Sequence, residues 1–130
     1  MATIKSYSDL EQSRKLATIL PLESSDGYWD FQIDGYNLIT DKLGYYKNDS
    51  EIPCWSLASL LDILPKEYTN SKNQVCSLHI DIVDSETPYL MWYANPEHEG
   101  SIVEIKTKEY SNLIDACCEL ILKSHKLKVL

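Results

Sequence analysis

The spacing of apolar residues predicts three helices. Between residues 9 and 20, apolar side chains recur at helical spacing, namely Leu10, Leu16, Ala17 and Leu20. Ser8 and Glu11 form a capping-box pattern at its start, and Pro21 ends it. Residues 57–64 are apolar on almost every side, which predicts a helix that is buried on most sides and ends at Pro65. A third helix follows Asn112, the expected N-cap.

Alternation of apolar and polar residues predicts the strands. Residues 28–33 and 36–40 flank Asp34-Gly35, a tight-turn signal, so they are expected to form a hairpin. Residues 75–83 show the clearest alternation. Cys76, Leu78, Ile80 and Ile82 are predicted to share one face of the strand, and Ser77, His79 and Asp81 the other. Residues 89–94 and 102–107 complete a three-strand meander, whereas residues 41–51 have the composition of a polar loop.

The order of elements is helix, hairpin, helix, three-strand meander, helix. This order predicts an α+β fold in which an antiparallel sheet, made of the hairpin and the meander, packs against about three helices. At least one of those helices is expected to be largely buried. The chain has 130 residues, a natural size for a single globular domain spanning 1–130.

The net charge and the cysteines limit which classes of function are expected for the chain. The chain carries 20 acidic and 12 basic residues, a formal net charge of -8, and no basic run before its last few residues. We therefore expect no direct nucleic-acid binding. We see neither a secretory signal nor an apolar run of about 20 residues, so a cytoplasmic protein without membrane contact is expected. Free thiols are expected at all four cysteines, Cys54, Cys76, Cys117 and Cys118.

The stretch IPCWSLASLLDILP, residues 52–65, raises the possibility of thiol catalysis. If Pro53 is the first helical residue, Cys54 lies in a first turn whose dipole favours the thiolate. The Cys-Trp opening resembles the nucleophile helix of papain-like enzymes and of small cell-wall peptidases. That resemblance implies Cys54 as nucleophile and His79 as base, with Asp81 or a carboxamide as the group that orients the His79 ring. If Ser56 is the cap instead, Cys54 precedes the helix and is a core residue, which is the interpretation we favour.

Two sets of residues have the donor types of a metal site. His79 and Asp81 share the polar face of one predicted strand, and His98 lies between Glu97 and Glu99 in a predicted turn. Imidazole and carboxylate groups suit a divalent ion, but neither set has the spacing of a tight ligand motif. We predict no metal site and no cofactor.

Acidic and aromatic residues are interleaved between the first two predicted helices. The polar loop of this region combines two tyrosines with three acids, and we predict these as a protein interface: Tyr45, Tyr46, Asp41, Asp49 and Glu51. Trp29 and Phe31 lie in a predicted strand and are expected to point inward. An acidic surface with exposed aromatic side chains suits a basic protein partner.

Three stretches carry a family resemblance: SDLEQSRKLATILPLESSDGYW, IPCWSLASLLDILP and SNLIDACCELILKSH. With them the chain resembles small uncharacterised proteins of phages and conjugative elements from Bacteroides-type gut bacteria, over nearly its whole length. The resemblance implies a mobile-element setting and no known activity. Leu113 departs from it, because proline is expected there. The resulting hypothesis is a non-enzymatic, acidic interaction or regulatory factor; the alternatives are the cysteine hydrolase and a structural protein of a virion.

Overall fold

A computed structural model describes residues 5–32, 35–40, 51–83, 86–95 and 103–130. Within these residues it contains three α-helices and two antiparallel sheets, which confirms the α+β class. The predicted hairpin and meander belong to separate sheets rather than to one. The chain clusters into two compact units, an N-terminal unit (Lys5–Ile63) and a C-terminal unit that includes Leu64–Leu130. A single domain over the whole chain stays a prediction.

The N-terminal unit holds two helices and a three-stranded sheet of order β2-β1-β3. Its elements are α1 (Leu10–Ala17), a 3-10 turn (Leu22–Ser24), β1 (Gly27–Gln32), β2 (Gly35–Ile39), β3 (Glu51–Cys54) and α2 (Leu57–Ile63). The predicted hairpin is confirmed, and Gly35 has φ +118°, which side-chain-bearing residues rarely adopt. Strand β3 was not predicted, because proline is disfavoured within a strand unless that strand lies at the edge of a sheet. Strand β3 is such an edge strand.

The C-terminal unit consists of a four-stranded sheet of order β4-β5-β6-β7 and one long helix that packs on its last two strands. Its elements are β4 (Glu67–Thr69), β5 (Val75–Ile82), β6 (Tyr89–Ala94), β7 (Val103–Lys106) and α3 (Leu113–Lys126). The predicted meander is confirmed as β5, β6 and β7. Strand β4 was not predicted, because it is three residues long and pairs through a turn around Asn70. No described helix is long and apolar enough to cross a membrane.

The predicted apolar face of β5 is inward along only part of the strand. Cys76 is fully buried, whereas Ile80 is 42% exposed and Ile82 is 77% exposed. Pairing of Ile80 with Met91 and of Ile82 with Tyr89 keeps these side chains on a common face. The predicted common face is therefore confirmed, and its C-terminal end is exposed. Alternation indicates which residues share a face of a strand, but it does not indicate how far along the strand other parts of the fold bury that face.

Helix starts agree with the sequence in one unit and differ by one residue in the other. In α3, Asn112 is the N-cap and accepts a hydrogen bond from the Ile114 amide at 2.8 Å, as predicted. In α1, the predicted box of Ser8 and Glu11 is wrong. Asp9 accepts from the Gln12 amide at 2.8 Å, and the Gln12 side chain accepts from the Asp9 amide at 3.0 Å. Helix α1 ends at Ala17, three residues earlier than predicted.

The second and third predicted helices differ in how many of their residues are buried. Leu60 is the buried residue of α2, and Ala58 and Asp62 are exposed, so the prediction that this helix is buried on most sides is wrong. A run of seven residues that ends at a proline has too little length to be enclosed. Helix α3 is the largely buried one, with seven buried residues: Ile114, Ala116, Cys117, Cys118, Leu120, Ile121 and Ser124.

Candidate functional site

The start of α2 is fixed by hydrogen bonds that converge on Ser8 and Trp55. The Ser8 amide donates to the Trp55 carbonyl at 2.8 Å, and the Trp55 amide donates to Ser8 Oγ at 3.1 Å. Trp29 Nε1 donates to the Ser8 carbonyl at 3.0 Å, and Trp55 Nε1 donates to Ser24 Oγ at 3.0 Å. Ser8 and Ser13 share a hydroxyl contact of 2.8 Å. We call these five residues the Ser8–Trp55 network.

A carboxylate lies at the N-terminus of α2. Asp26 accepts from the Ser56 amide at 2.8 Å and from Ser59 Oγ at 3.1 Å, and the Ser56 hydroxyl also donates to it. The Ser59 amide in turn donates to Ser56 Oγ at 3.2 Å, the geometry of an N-cap serine. A negative charge here is favourable for the helix dipole. Helix α2 therefore begins after Ser56 rather than at Pro53, and sequence reasoning missed Asp26 because it lies 30 residues away.

Cys54 has the surroundings of a core thiol. It is the last residue of β3, outside any helix, and its side chain is fully buried. Burial, with a smaller contribution from the charge of Asp26, raises the pKa of the Cys54 thiol to about 12. A nucleophilic cysteine needs the opposite shift, together with access to solvent. These features weigh against Cys54 as a nucleophile and agree with the core interpretation.

The predicted base and its partner lie in the C-terminal unit, around an indole. The His79 ring stacks on Trp92 with centroids 4.5 Å apart, as their cross-strand pairing allows. Asp81 accepts a hydrogen bond from Trp92 Nε1 at 3.1 Å. The structure therefore brings His79 and Asp81 to one face, as predicted, with the carboxylate bonded to the indole. His79 Nε2 is buried and has no hydrogen-bond partner among the described residues.

Of the two sets of residues with the donor types of a metal site, the structure describes one. Among the described residues, no three His, Cys, Asp or Glu side chains are grouped so that they could hold a metal ion. His79 and Asp81 thus have no third ligand in that part of the chain. The other set, His98 with Glu97 and Glu99, lies outside the described residues.

Of the five predicted interface residues, Glu51 lies within the described part of the chain. Tyr45, Tyr46, Asp41 and Asp49 lie outside it. Glu51 is the first residue of β3 and is half-buried. It pairs directly with Asp30 of β1, so two carboxylates stand side by side on one face of the sheet. Like charges in directly opposed positions repel each other.

Phe31 is the exposed aromatic residue that the sequence did not reveal. Its side chain is 57% exposed, so the expectation that it points inward is wrong. It pairs with Tyr36 and meets that ring edge-on at 5.3 Å, while the Arg14 guanidinium lies 5.6 Å from the Tyr36 centroid. Trp29, two residues earlier on the same face, is half-buried and bonded to Ser8. Burial on this face therefore decreases from Trp29 to Phe31.

We define the hairpin surface as four residues near the turn end of this sheet: Asp30, Phe31, Tyr36 and Glu51. Compared with protein-family models, with curated proteins and with solved structures, the chain matches none of them. The mobile-element resemblance thus stays an expectation. The hairpin surface is the candidate functional site because it combines an exposed aromatic ring on one face of the sheet with two opposed carboxylates on the other face.

Proposed function

We propose that the protein acts without catalysis, by binding a basic surface of another protein through the hairpin surface. The observation that carries this proposal is the 57% exposure of Phe31 within a sheet whose strand residues 27–30, 35–39 and 51–54 are buried or half-buried. An aromatic ring offers large contact area at low conformational-entropy cost, and such residues anchor protein interfaces.

The charges on the other face of the sheet favour a cationic partner. Asp30 and Glu51 face each other across β1 and β3, so a lysine or arginine side chain that approaches them is attracted by both carboxylates. The net charge of -8 attracts such a partner from a distance and raises the rate of encounter. A partner that contacts both faces at the turn end of the sheet, with an apolar pocket for Phe31 and a basic group for the two carboxylates, therefore fits this surface.

The biological setting is part of the same proposal. The resemblance to proteins of phages and conjugative elements supports a cytoplasmic accessory or regulatory factor that binds a host or element-encoded protein. Tyr45, Tyr46, Asp41 and Asp49 stay in the predicted interface, because their segment connects two strands of this sheet, β2 and β3.

The test is quantitative capture of a partner from the lysate of a Bacteroides-type bacterium by the immobilised protein. Phe31→Ala is compared with Leu22→Ala, a matched control because Leu22 is 46% exposed in the same unit. We expect a protein that wild type and Leu22→Ala retain equally and that Phe31→Ala retains about tenfold less, which is typical of an interface anchor. Equal retention by all three proteins would show that the hairpin surface is not the interface.

A second variant separates the charge from the ring. Asp30→Asn combined with Glu51→Gln is expected to weaken capture at low salt and to have little effect at high salt, because screening removes the same attraction. Sedimentation of the free protein provides the competing outcome. Stable self-association at micromolar concentration, abolished by Phe31→Ala, would favour the structural virion protein instead.

A further inference from the structure

A cavity of about 400 Å³ lies within the C-terminal unit, apart from the hairpin surface. One wall is the end of β4 and the start of the turn that follows it, residues 68–71, and the other is the segment that follows α3, residues 127–129. This volume is within the usual range of small-molecule sites. No local pattern in the sequence indicates this cavity, because its two walls are about 60 residues apart in the chain.

Both walls are held in defined conformations by hydrogen bonds. In the turn, Asn70 Oδ1 accepts from the amides of Lys72 and Gln74, each at 2.9 Å. After α3, the Lys128 amide donates to the His125 carbonyl at 3.0 Å and the Val129 amide donates to the Ser124 carbonyl at 2.9 Å. The second pattern is a Schellman motif with Lys128 at the position that glycine usually occupies. The cavity is therefore formed before any ligand arrives.

The unusual backbone of the described residues is concentrated in these two segments. Their non-glycine residues with positive φ are Asn73, in the β4–β5 turn, and Lys128, at 61° and 60° respectively. Asparagine tolerates this conformation, but lysine does so at a cost of about 1 kcal/mol relative to glycine. Strain of this kind recurs at ligand-binding positions, where it holds a side chain in place. Here it holds Lys128 at the cavity wall.

The lining combines one positive charge with both polar and apolar side chains and has no acidic residue. Its polar residues are Thr69, Asn70 and Ser71, and its apolar surface comes from Tyr68, Leu127 and Val129. Tyr68 is fixed by an edge-on contact with Tyr93 at 5.2 Å, and Leu127 is 58% exposed although it is a large apolar side chain. Lys126 adds a second basic group close by in the chain.

We propose that this cavity binds a small organic anion, a carboxylate attached to an aliphatic or aromatic body. The carboxylate pairs with the Lys128 ammonium, and the body lies against Tyr68, Leu127 and Val129. A charge-assisted hydrogen bond at one end and apolar contact at the other give selectivity that neither group gives alone. The proposal is independent of the hairpin surface and of its partner.

The experiment titrates the full chain with hexanoate and follows backbone amide resonances by NMR. Saturable shifts are expected at residues 68–71 and 127–129. Acetate, which lacks the apolar body, and hexylamine, which reverses the charge, are each expected to bind at least about fivefold more weakly. Equal binding of hexanoate and hexylamine, shifts confined to other residues, or no saturation at millimolar hexanoate would each overturn the proposal.

Two matched variants identify the cationic group. Lys128→Gln and Lys126→Gln each remove one charge, but Lys126 does not line the cavity. We expect Lys128→Gln to weaken hexanoate binding at least about fivefold and Lys126→Gln to change it less than about twofold. Lys128→Gly is expected to raise the melting temperature while it also weakens binding, because it relieves the positive φ and removes the ammonium. Equal effects of the two glutamine variants would mean that hexanoate responds to net charge alone.

Discussion

The two units build their interiors in different ways. The N-terminal unit has helices of eight and seven residues, and its centre is the Ser8–Trp55 network, in which serine hydroxyls and backbone groups bond to two indoles. The C-terminal unit has a helix of 14 residues whose buried face meets β6 and β7, with the Cys117 and Met91 sulfur atoms 3.6 Å apart. One interior depends on directional hydrogen bonds, and the other depends mainly on apolar packing.

The difference follows from element length. A short helix buries few side chains, so its apolar surface contributes little stability, and hydrogen bonds must fix its position. A long amphipathic helix buries enough area to hold itself against a sheet. Disruption of a single hydrogen-bonded residue should therefore have a larger effect in the N-terminal unit.

The largest effect is expected from loss of the fully buried indole. Trp55→Ala should lower the free energy of unfolding by about 3–5 kcal/mol, because it leaves a cavity and removes the partner of Ser24. Leu120→Ala is the counterpart in the C-terminal unit and should cost about 2–5 kcal/mol. Urea unfolding of both variants measures the two values. A loss below about 1 kcal/mol for Trp55→Ala would contradict the importance of the network.

Thiol reactivity compares one buried cysteine from each unit. Burial raises the pKa of Cys54 and the pKa of Cys117 to about 12 from an ordinary value of 9.0, so each thiolate is about a thousandfold scarcer than in a free thiol. Iodoacetamide labelling of native protein at pH 8, read by mass spectrometry, should be slow and similar at both sites. Rapid labelling of Cys54 alone would instead support the hydrolase hypothesis with His79.

Alkaline pH should destabilise the protein. Above pH 9 the unfolded thiols lose their protons, whereas native Cys54 and Cys117, each with a pKa raised to about 12, keep theirs. The unfolded state then binds fewer protons, so stability falls by about 1.4 kcal/mol per pH unit for each thiol. Burial also raises the pKa of Tyr93, which steepens the loss above pH 10. Urea unfolding between pH 7 and pH 10 tests this, and a flat profile would contradict it.

Removal of one buried hydroxyl compares hydrogen bonding in the two interiors. Ser8→Ala leaves the buried Trp55 amide without its acceptor and should cost about 1–3 kcal/mol. Thr107→Val removes the acceptor of the Met91 amide, which is 3.1 Å from Thr107 Oγ1, in a unit dominated by apolar packing. Valine also leaves a buried amide without its acceptor, but we expect the smaller loss there. Thr107 Oγ1 otherwise donates to the carbonyl of Lys108, an exposed residue, whereas the second partner of Ser8 Oγ is the fully buried Ser13. A larger loss for Thr107→Val in thermal unfolding would reverse the comparison.

The smallest effects are expected at the helix caps. Asp9→Ala and Asn112→Ala each remove a cap and should cost about 1 kcal/mol. Burial alone would raise the pKa of Asp9, but bonds from the Gln12 amide and Lys5 lower it overall. The native carboxylate is thus favoured above the unfolded pKa, and its contribution is lost as pH falls through the lowered value. The Asp9→Ala difference should therefore shrink in acid, whereas the Asn112→Ala difference should not.

How far the sequence predicts the fold depends on how local each signal is. The hairpin around Gly35 and the cap at Asn112 are confirmed because a turn residue or a capping side chain acts within a few residues. The cap of α1 was predicted one residue too early, since Ser8 also has a distant partner in Trp55. Strand β3 and the role of Asp26 depend entirely on such distant pairing.

The candidate site shows the same division. The sequence placed Glu51 in an interface and Phe31 in a core, because composition marks polar loops and alternation marks strand faces. Exposure of Phe31 could not be read from that pattern, since it depends on where the cover of the sheet ends. The cavity beside Lys128 required two segments far apart in the chain to meet.

By itself the sequence determined the α+β class, the hairpin, the meander, the last helix and the acidic charge, because periodicity, capping and composition are local properties. Tertiary structure alone decided that the strands form two sheets, that Cys54 lies outside a helix and fully buried, and that Phe31 faces solvent. Those outcomes depend on which segments of the chain pack against each other. Such packing sets the burial of each side chain, its hydrogen-bond partners and the pKa of each thiol, because the neighbours that determine them are distant in sequence.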